Sequence, residues 1–138
     1  MAVLQIIFTL SAEKPHTFEE CVEFSNLSVD VCTALSITGR VFANEIEALF
    51  ITEGEPELVK KYYSAVIKDP KTHVDIMHSE ETLNVREFFD FSVWHSLHSK
   101  GKFGPNVHDL NTDAVGNAIS DNVSAKSRFL IKGLLPSF

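Results

Sequence analysis

Six histidines, two cysteines and 19 acidic side chains are the groups in this 138-residue chain that could carry chemistry. The tightest histidine spacing is His95-x-x-His98, with His108 further on. On a strand, residues three apart point to opposite faces. His95 and His98 could therefore share a metal only if the strand ends between them. His73 and His78 also fall on opposite faces of one strand pattern. Solvated or hydrogen-bonded rings are expected for all of these, and no metal is expected. Cys21 and Cys32 lie in an apolar helical pattern, where a thiol behaves as a small hydrophobe. Their spacing spans ~16 Å of helix, too far for a disulfide within it. They read as buried thiols of a reducing compartment. Glu80-Glu81 and the set Glu53, Glu55 and Glu57 read as solvated faces and helix N-terminal charge, not as paired catalytic carboxylates. No G-x-S-x-G, Gly-rich phosphate loop or H-E-x-x-H occurs. No catalytic residue and no enzyme activity are expected.

The length fits one domain, and 44% hydrophobic residues suffice for a core. A formal charge of −7 argues against non-specific nucleic-acid binding and against an anionic membrane surface. The first residues, Met1-Ala-Val-Leu-Gln-Ile-Ile-Phe, have no basic leader region and run straight into a strand pattern. No apolar run approaches the ~20 residues that span a bilayer. A cytoplasmic protein is expected, with no nucleic-acid or membrane partner.

The elements that must position these groups follow from periodicity. Val3–Leu10 is a short, β-rich apolar run, a strand buried on both faces. Thr17 N-caps a helix, with Glu20 completing a capping box. Phe18, Cys21, Val22, Leu27 and Val31 supply its apolar stripe, and it fades near Cys32–Leu35. Ile37–Gly54 reads as a hairpin turning at Asn44-Glu45, since Asn tolerates positive φ. Gly39 permits close backbone approach near the first strand's start. Glu55–Lys68 is a second helix with Pro56 in its first turn and Leu58, Val59, Tyr62, Val66 and Ile67 facing inward. His73–Ser79 alternates as a strand, Glu80–Glu87 is polar, and Phe88–Leu97 is an aromatic-rich strand. In that strand Phe89, Phe91 and Val93 share one face, and Phe88, Asp90, Ser92 and Trp94 the other.

The order β-α-β-β-α-β-β predicts an α+β, ferredoxin-like sheet with both helices on one face, strands 1 and 2 parallel and neighbouring, and the fifth strand extending the sheet. Residues 1–98 form this domain and residues 99–138 a C-terminal extension. The extension holds a loop over Ser99–Asn111, a weakly amphipathic helix over Asp113–Ala125, and an apolar end at Phe129–Leu135. Leu130, Ile131, Leu134 and Leu135 must pack on the open sheet face or on another subunit, as must Trp94.

The arrangement resembles the BLUF domain, the flavin-binding blue-light sensor with this same order of elements. The likeness runs from about Gln5 to about Leu97. It is carried by Ser28, by Ile37-Thr38-Gly39 entering strand 2, and by Glu53-Gly54 ending strand 3. Val59 and Tyr63 on helix 2, Asp69-Pro70-Lys71 at its exit, and Arg86-x-Phe88 before the last strand complete it. In that family a Tyr on strand 1 and a Gln on strand 3 hydrogen-bond around FAD, and light rearranges the network. The matching positions here are Phe8 and Phe50, which carry neither hydroxyl nor amide. The family's flavin-binding Asn corresponds to Cys32, the residues before it to Val29, Asp30 and Val31, and its Trp and Met to Phe91 and Val93. A shifted register places Thr9 at the Tyr position and Ser11 at the family's Ser, and still supplies no phenol.

Taken together, these departures point toward apolar side chains at the family's flavin positions. The resemblance thus implies a BLUF-like scaffold whose rings fill the flavin space, with no cofactor expected. The function expected is a non-enzymatic regulatory or protein-interaction module. It would self-associate as a homo-oligomer through Trp94, Leu130, Ile131 and Leu134. Two rivals are an FAD-binding photoreceptor and a small-ligand protein reusing the pocket.

Overall fold

The structure, a computed structural model, describes residues 2–138. Its strands are β1 (Val3–Ala12), β2 (Thr38–Ala43), β3 (Glu47–Gly54), β4 (Thr72–Leu83), β5 (Phe91–His95) and β6 (Val107–Asp109). Its helices are α1 (Phe18–Ala34), α2 (Pro56–Ile67), α3 (Ala114–Ala118) and α4 (Ala125–Leu134). The six strands form one sheet in the order β4-β1-β3-β2-β5-β6. The α+β, ferredoxin-like architecture expected from the sequence is present.

α1 starts where the capping box places it. Thr17 Oγ1 accepts from Glu20 N at 3.1 Å, and Glu20 Oε1 accepts from Thr17 N at 2.9 Å. Its inward face is Cys21, Ser25, Ser28, Val29 and Cys32, whereas Leu27 of the expected stripe is 57% exposed. The small serines let the helix sit close to the sheet. Gly39, at φ +144°, is required: a Cβ there would lie 1.8 Å from the carbonyl oxygen of Ile51.

The sheet divides the core in two. Toward α1 and α2 it presents Leu4, Ile6, Phe8, Val41, Phe50, Phe91 and Val93. The opposite face presents Ile7, Phe42, Leu49 and Ile51, and α3, α4 and their connections cover it with Ala114, Ala118, Ile119, Val123 and Ile131. Arg40 fastens this second layer. It donates from Nε to Ala118 O at 2.9 Å, pairs with Asp90 at 2.9 Å, and lies over the Phe88 ring.

Several expectations are corrected. β1 and β2 are parallel but not neighbours, because β3 inserts between them, antiparallel to both. A helical crossover lets two strands run parallel in one sheet but leaves room for another strand between them. β4 runs on through Glu80, Glu81 and Thr82 instead of stopping at Ser79. It is an edge strand with both faces largely wet, so carboxylates cost it little. β5 begins at Phe91, not Phe88, and Phe89 is 80% exposed while Phe88 is buried in the second core. The Gly- and Pro-rich segment hides β6, which pairs parallel with β5. The helix expected over Asp113–Ala125 is only α3. A second helix starts at Ser124, whose hydroxyl accepts from Ser127 N at 3.1 Å. Asn44 turns the hairpin through its side chain, not through positive φ: Oδ1 accepts from Ile46 N at 2.9 Å and from Glu47 N at 2.8 Å.

Candidate functional site

α1 and α2 lie side by side on the sheet, and the space between them is the candidate site. Phe8 and Phe50 point up into it from paired positions on β1 and β3. Their rings stack with centroids 4.5 Å apart and planes 6° from parallel. Phe24 of α1 meets Phe50 edge-on at 5.9 Å, and Tyr63 of α2 meets Phe8 edge-on at 4.7 Å. The aromatic cluster thus ties both helices to β1 and β3.

The five positions singled out from the sequence, Phe8, Cys32, Phe50, Phe91 and Val93, all lie in this core, none more than 3% exposed. Only Phe50 reaches the wall of an open space. Burial raises the Cys32 thiol to about 12, so it stays protonated at neutral pH. Burial, and then Glu45, raise Cys21 to about 11. A flavin held through hydrogen bonds at this place needs polar atoms that Phe8 and Phe50 do not have.

Beside the stacked pair a cleft of about 370 Å³ remains between the helices. Its walls are mainly apolar, including Leu10, Phe24, Val31, Phe50 and Val66. Lys71, just after α2, pairs with Glu20 of α1 across the cleft. Two groups missed at the level of sequence also line it. Tyr62 is 6% exposed, and its hydroxyl lies beside Ser28 and Cys32 without meeting hydrogen-bond geometry with either. His95 is 1% exposed, and its Nδ1 accepts from Leu97 N at 3.1 Å. The ring's one remaining proton therefore belongs on Nε2. Burial, then His16 and His98, lower its pKa to about 4, so it is neutral at pH 7. Tyr62 was legible only as a core residue of helix 2. For His95 the i+3 spacing to His98 pointed elsewhere.

The histidines do not converge. His95 and His98 both pack near the Phe103 ring, with centroid distances of 5.3 and 5.7 Å, and His108 packs on Trp94 at 4.6 Å. Among the described residues no three His, Cys, Asp or Glu side chains come together as a metal site, and no helix is long and apolar enough to cross a membrane.

On the opposite sheet face Ile131 is fully buried against the chain's own sheet, and Trp94, Leu130 and Leu134 are half-buried around it. The apolar tail therefore covers the sheet within one chain, and Ile131 has no surface to offer a partner.

No protein-family model and no curated protein matches the sequence. Solved structures do match the fold. BlrP1 of Klebsiella pneumoniae, solved as a manganese and cyclic di-GMP complex, aligns with 95% of this chain at TM-score 0.68 and 16% identity. BlrB, a BLUF protein in its dark state, aligns with 70% at TM-score 0.62 and 16% identity. A bacterial light-regulated adenylyl cyclase aligns with 67% at TM-score 0.62 and 19% identity. The chain spans 76% of BlrB, but only 32% of BlrP1 and 28% of the cyclase. The fold is that of the BLUF domain.

Proposed function

We propose that the chain is a regulatory, protein-interaction module on a BLUF-like scaffold, working without a bound flavin, a photocycle or an enzymatic step of its own. The stacked Phe8–Phe50 pair carries this reading. In the resembling family the corresponding positions hold the hydroxyl and the amide that bond around the flavin. Here both are phenyl rings with no exposed surface. Cys32, Phe91 and Val93 add a protonated thiol and two apolar groups where the family has further cofactor contacts. A module of this kind acts through its surface, by presenting the sheet edge or the C-terminal layer to another protein.

Equilibrium dialysis against FAD tests it. The reading expects no retention of FAD by the folded protein above a matched inert protein. Saturable retention at one site per chain contradicts it.

A further inference from the structure

We infer that the groove between α4 and the edge strand β4 is a self-association site, in which Phe129 of each copy of this chain seats over Gly133 of the other. This rests on the interaction-module reading above and names its partner as a second copy.

The groove is the receiving half. A depression of about 380 Å³ lies between β4 and the last turn of α4. Val74 and Ile76 of β4 form one apolar wall, and Gly133, Leu134 and Leu135 the other. Val74 and Ile76 stay 41% and 50% exposed, so the chain's own fold leaves that wall largely uncovered. At Gly133 a Cβ would meet no atom within 4 Å. Its φ is not in the left-handed region, so the backbone does not call for glycine there, and glycine weakens a helix interior. What it supplies is an open notch in the helix surface.

Phe129 is the inserting half. It lies one helical turn before Gly133, on the same side of α4, and is exposed. Helical side chains lean toward their own N-terminus, so Phe129 leaves the notch over Gly133 open. Two α4 helices packed antiparallel about a two-fold axis level with Ile131 set Phe129 of each copy against Gly133 of the other. The same lean then directs each ring toward Leu134 and Leu135 of the facing copy. Ring and notch on one chain make the patch self-complementary, so the assembly closes as a dimer.

Charge selects this pairing. α4 carries Lys126, Arg128 and Lys132 and no acid. Glu47, which also lines the groove, is in no ion pair among the described residues. The antiparallel register brings the first turn of one α4, with Lys126, toward the groove end at Leu135 of the other, where a cationic helix is attracted to Glu47. Arg128 is turned back onto the carbonyls of Ser120 and Val123, which limits repulsion between the two helices. Edge-to-edge pairing of two β4 strands would instead set Asp75, Glu80 and Glu81 against a second copy of the same acidic strand.

Sedimentation velocity of the full chain, from ~5 to ~500 μM, tests the inference. A patch of this kind is expected to give a monomer–dimer equilibrium with a Kd on the order of 10–100 μM. Phe129→Asp should raise that Kd at least about tenfold. Gly133→Leu should do the same by filling the notch, while its higher helix propensity favours folding. Phe89→Asp, an equally exposed ring outside the groove, should leave the Kd unchanged. At low-micromolar concentration all four proteins should sediment as folded monomers. A monomer throughout the series overturns the inference, as does assembly beyond the dimer or a dimer that Phe129→Asp and Gly133→Leu leave intact. Dialysis against FAD is read separately: its retention overturns the flavin-free reading, whereas a chain that stays monomeric overturns only the self-association.

Discussion

The carboxylate of Glu53 accepts a 2.6 Å hydrogen bond from the backbone N–H of Phe88. The same group accepts from Glu87 N at 3.1 Å, from Thr38 Oγ1 at 3.0 Å and from Gln5 Nε2 at 3.4 Å. A fully buried acid at the end of β3 thus replaces a strand partner for the backbone leading into β5. Glu53→Ala would strand two buried amides, and we expect a loss of about 2–4 kcal/mol in urea unfolding. Glu53→Gln should lose less, because its amide oxygen can still accept from Phe88.

His95 makes stability depend on pH. Its folded pKa of about 4 lies below the ordinary 6.5, so the unfolded chain binds the proton more readily between those values. Stability is full above pH ~6.5 and falls as pH drops toward ~4, by up to about 3 kcal/mol. Glu53 acts in the opposite sense. Burial raises its folded pKa, so protonation on acidification favours the fold over the window above its unfolded value. Urea midpoints from pH 7.5 down to 4 should decline for wild type and decline less for His95→Asn.

Both thiols should be inert. Cys21 and Cys32 are at most 3% exposed, and burial raises their pKa values to about 11 and 12. Iodoacetamide at neutral pH should modify neither in the native protein and both in urea. Rapid native modification would mean that α1 opens readily.

The C-terminal layer should behave as core, not as a detachable surface. Ile131 is fully buried, whereas Phe129, two residues earlier, is 77% exposed. Ile131→Asp should cost more than about 3 kcal/mol, and Phe129→Asp should stay within about 0.5. Equal effects would place α4 differently on the sheet.

Much of this fold was legible because local chemistry left little choice. Thr17 with Glu20, Gly39, and Pro56 after Gly54 each marked an element end that the structure keeps. What escaped had no local signature. Edge strand β4 is wet on both faces, so no period distinguishes Glu80 and Glu81 from a loop. β6 is three residues long and depends on pairing with β5, a tertiary event. The insertion of β3 between β1 and β2 is a choice among sheet orders that strand sequences share. At the site, Phe8 and Phe50 were recognisable by their place in the family pattern. The cleft beside them was not, because it depends on how α1 seats its serines and where Tyr62 ends. A signal for Glu53 did exist: one acid closing the apolar run Ala48-Leu-Phe-Ile-Thr52 is unusual unless something binds it.

The most direct test of the central claim is a light-minus-dark absorption spectrum of the protein purified in excess FAD and freed of unbound cofactor. No flavin band and no difference signal after blue illumination are expected. A flavin band that shifts reversibly to the red under blue light would overturn the flavin-free proposal.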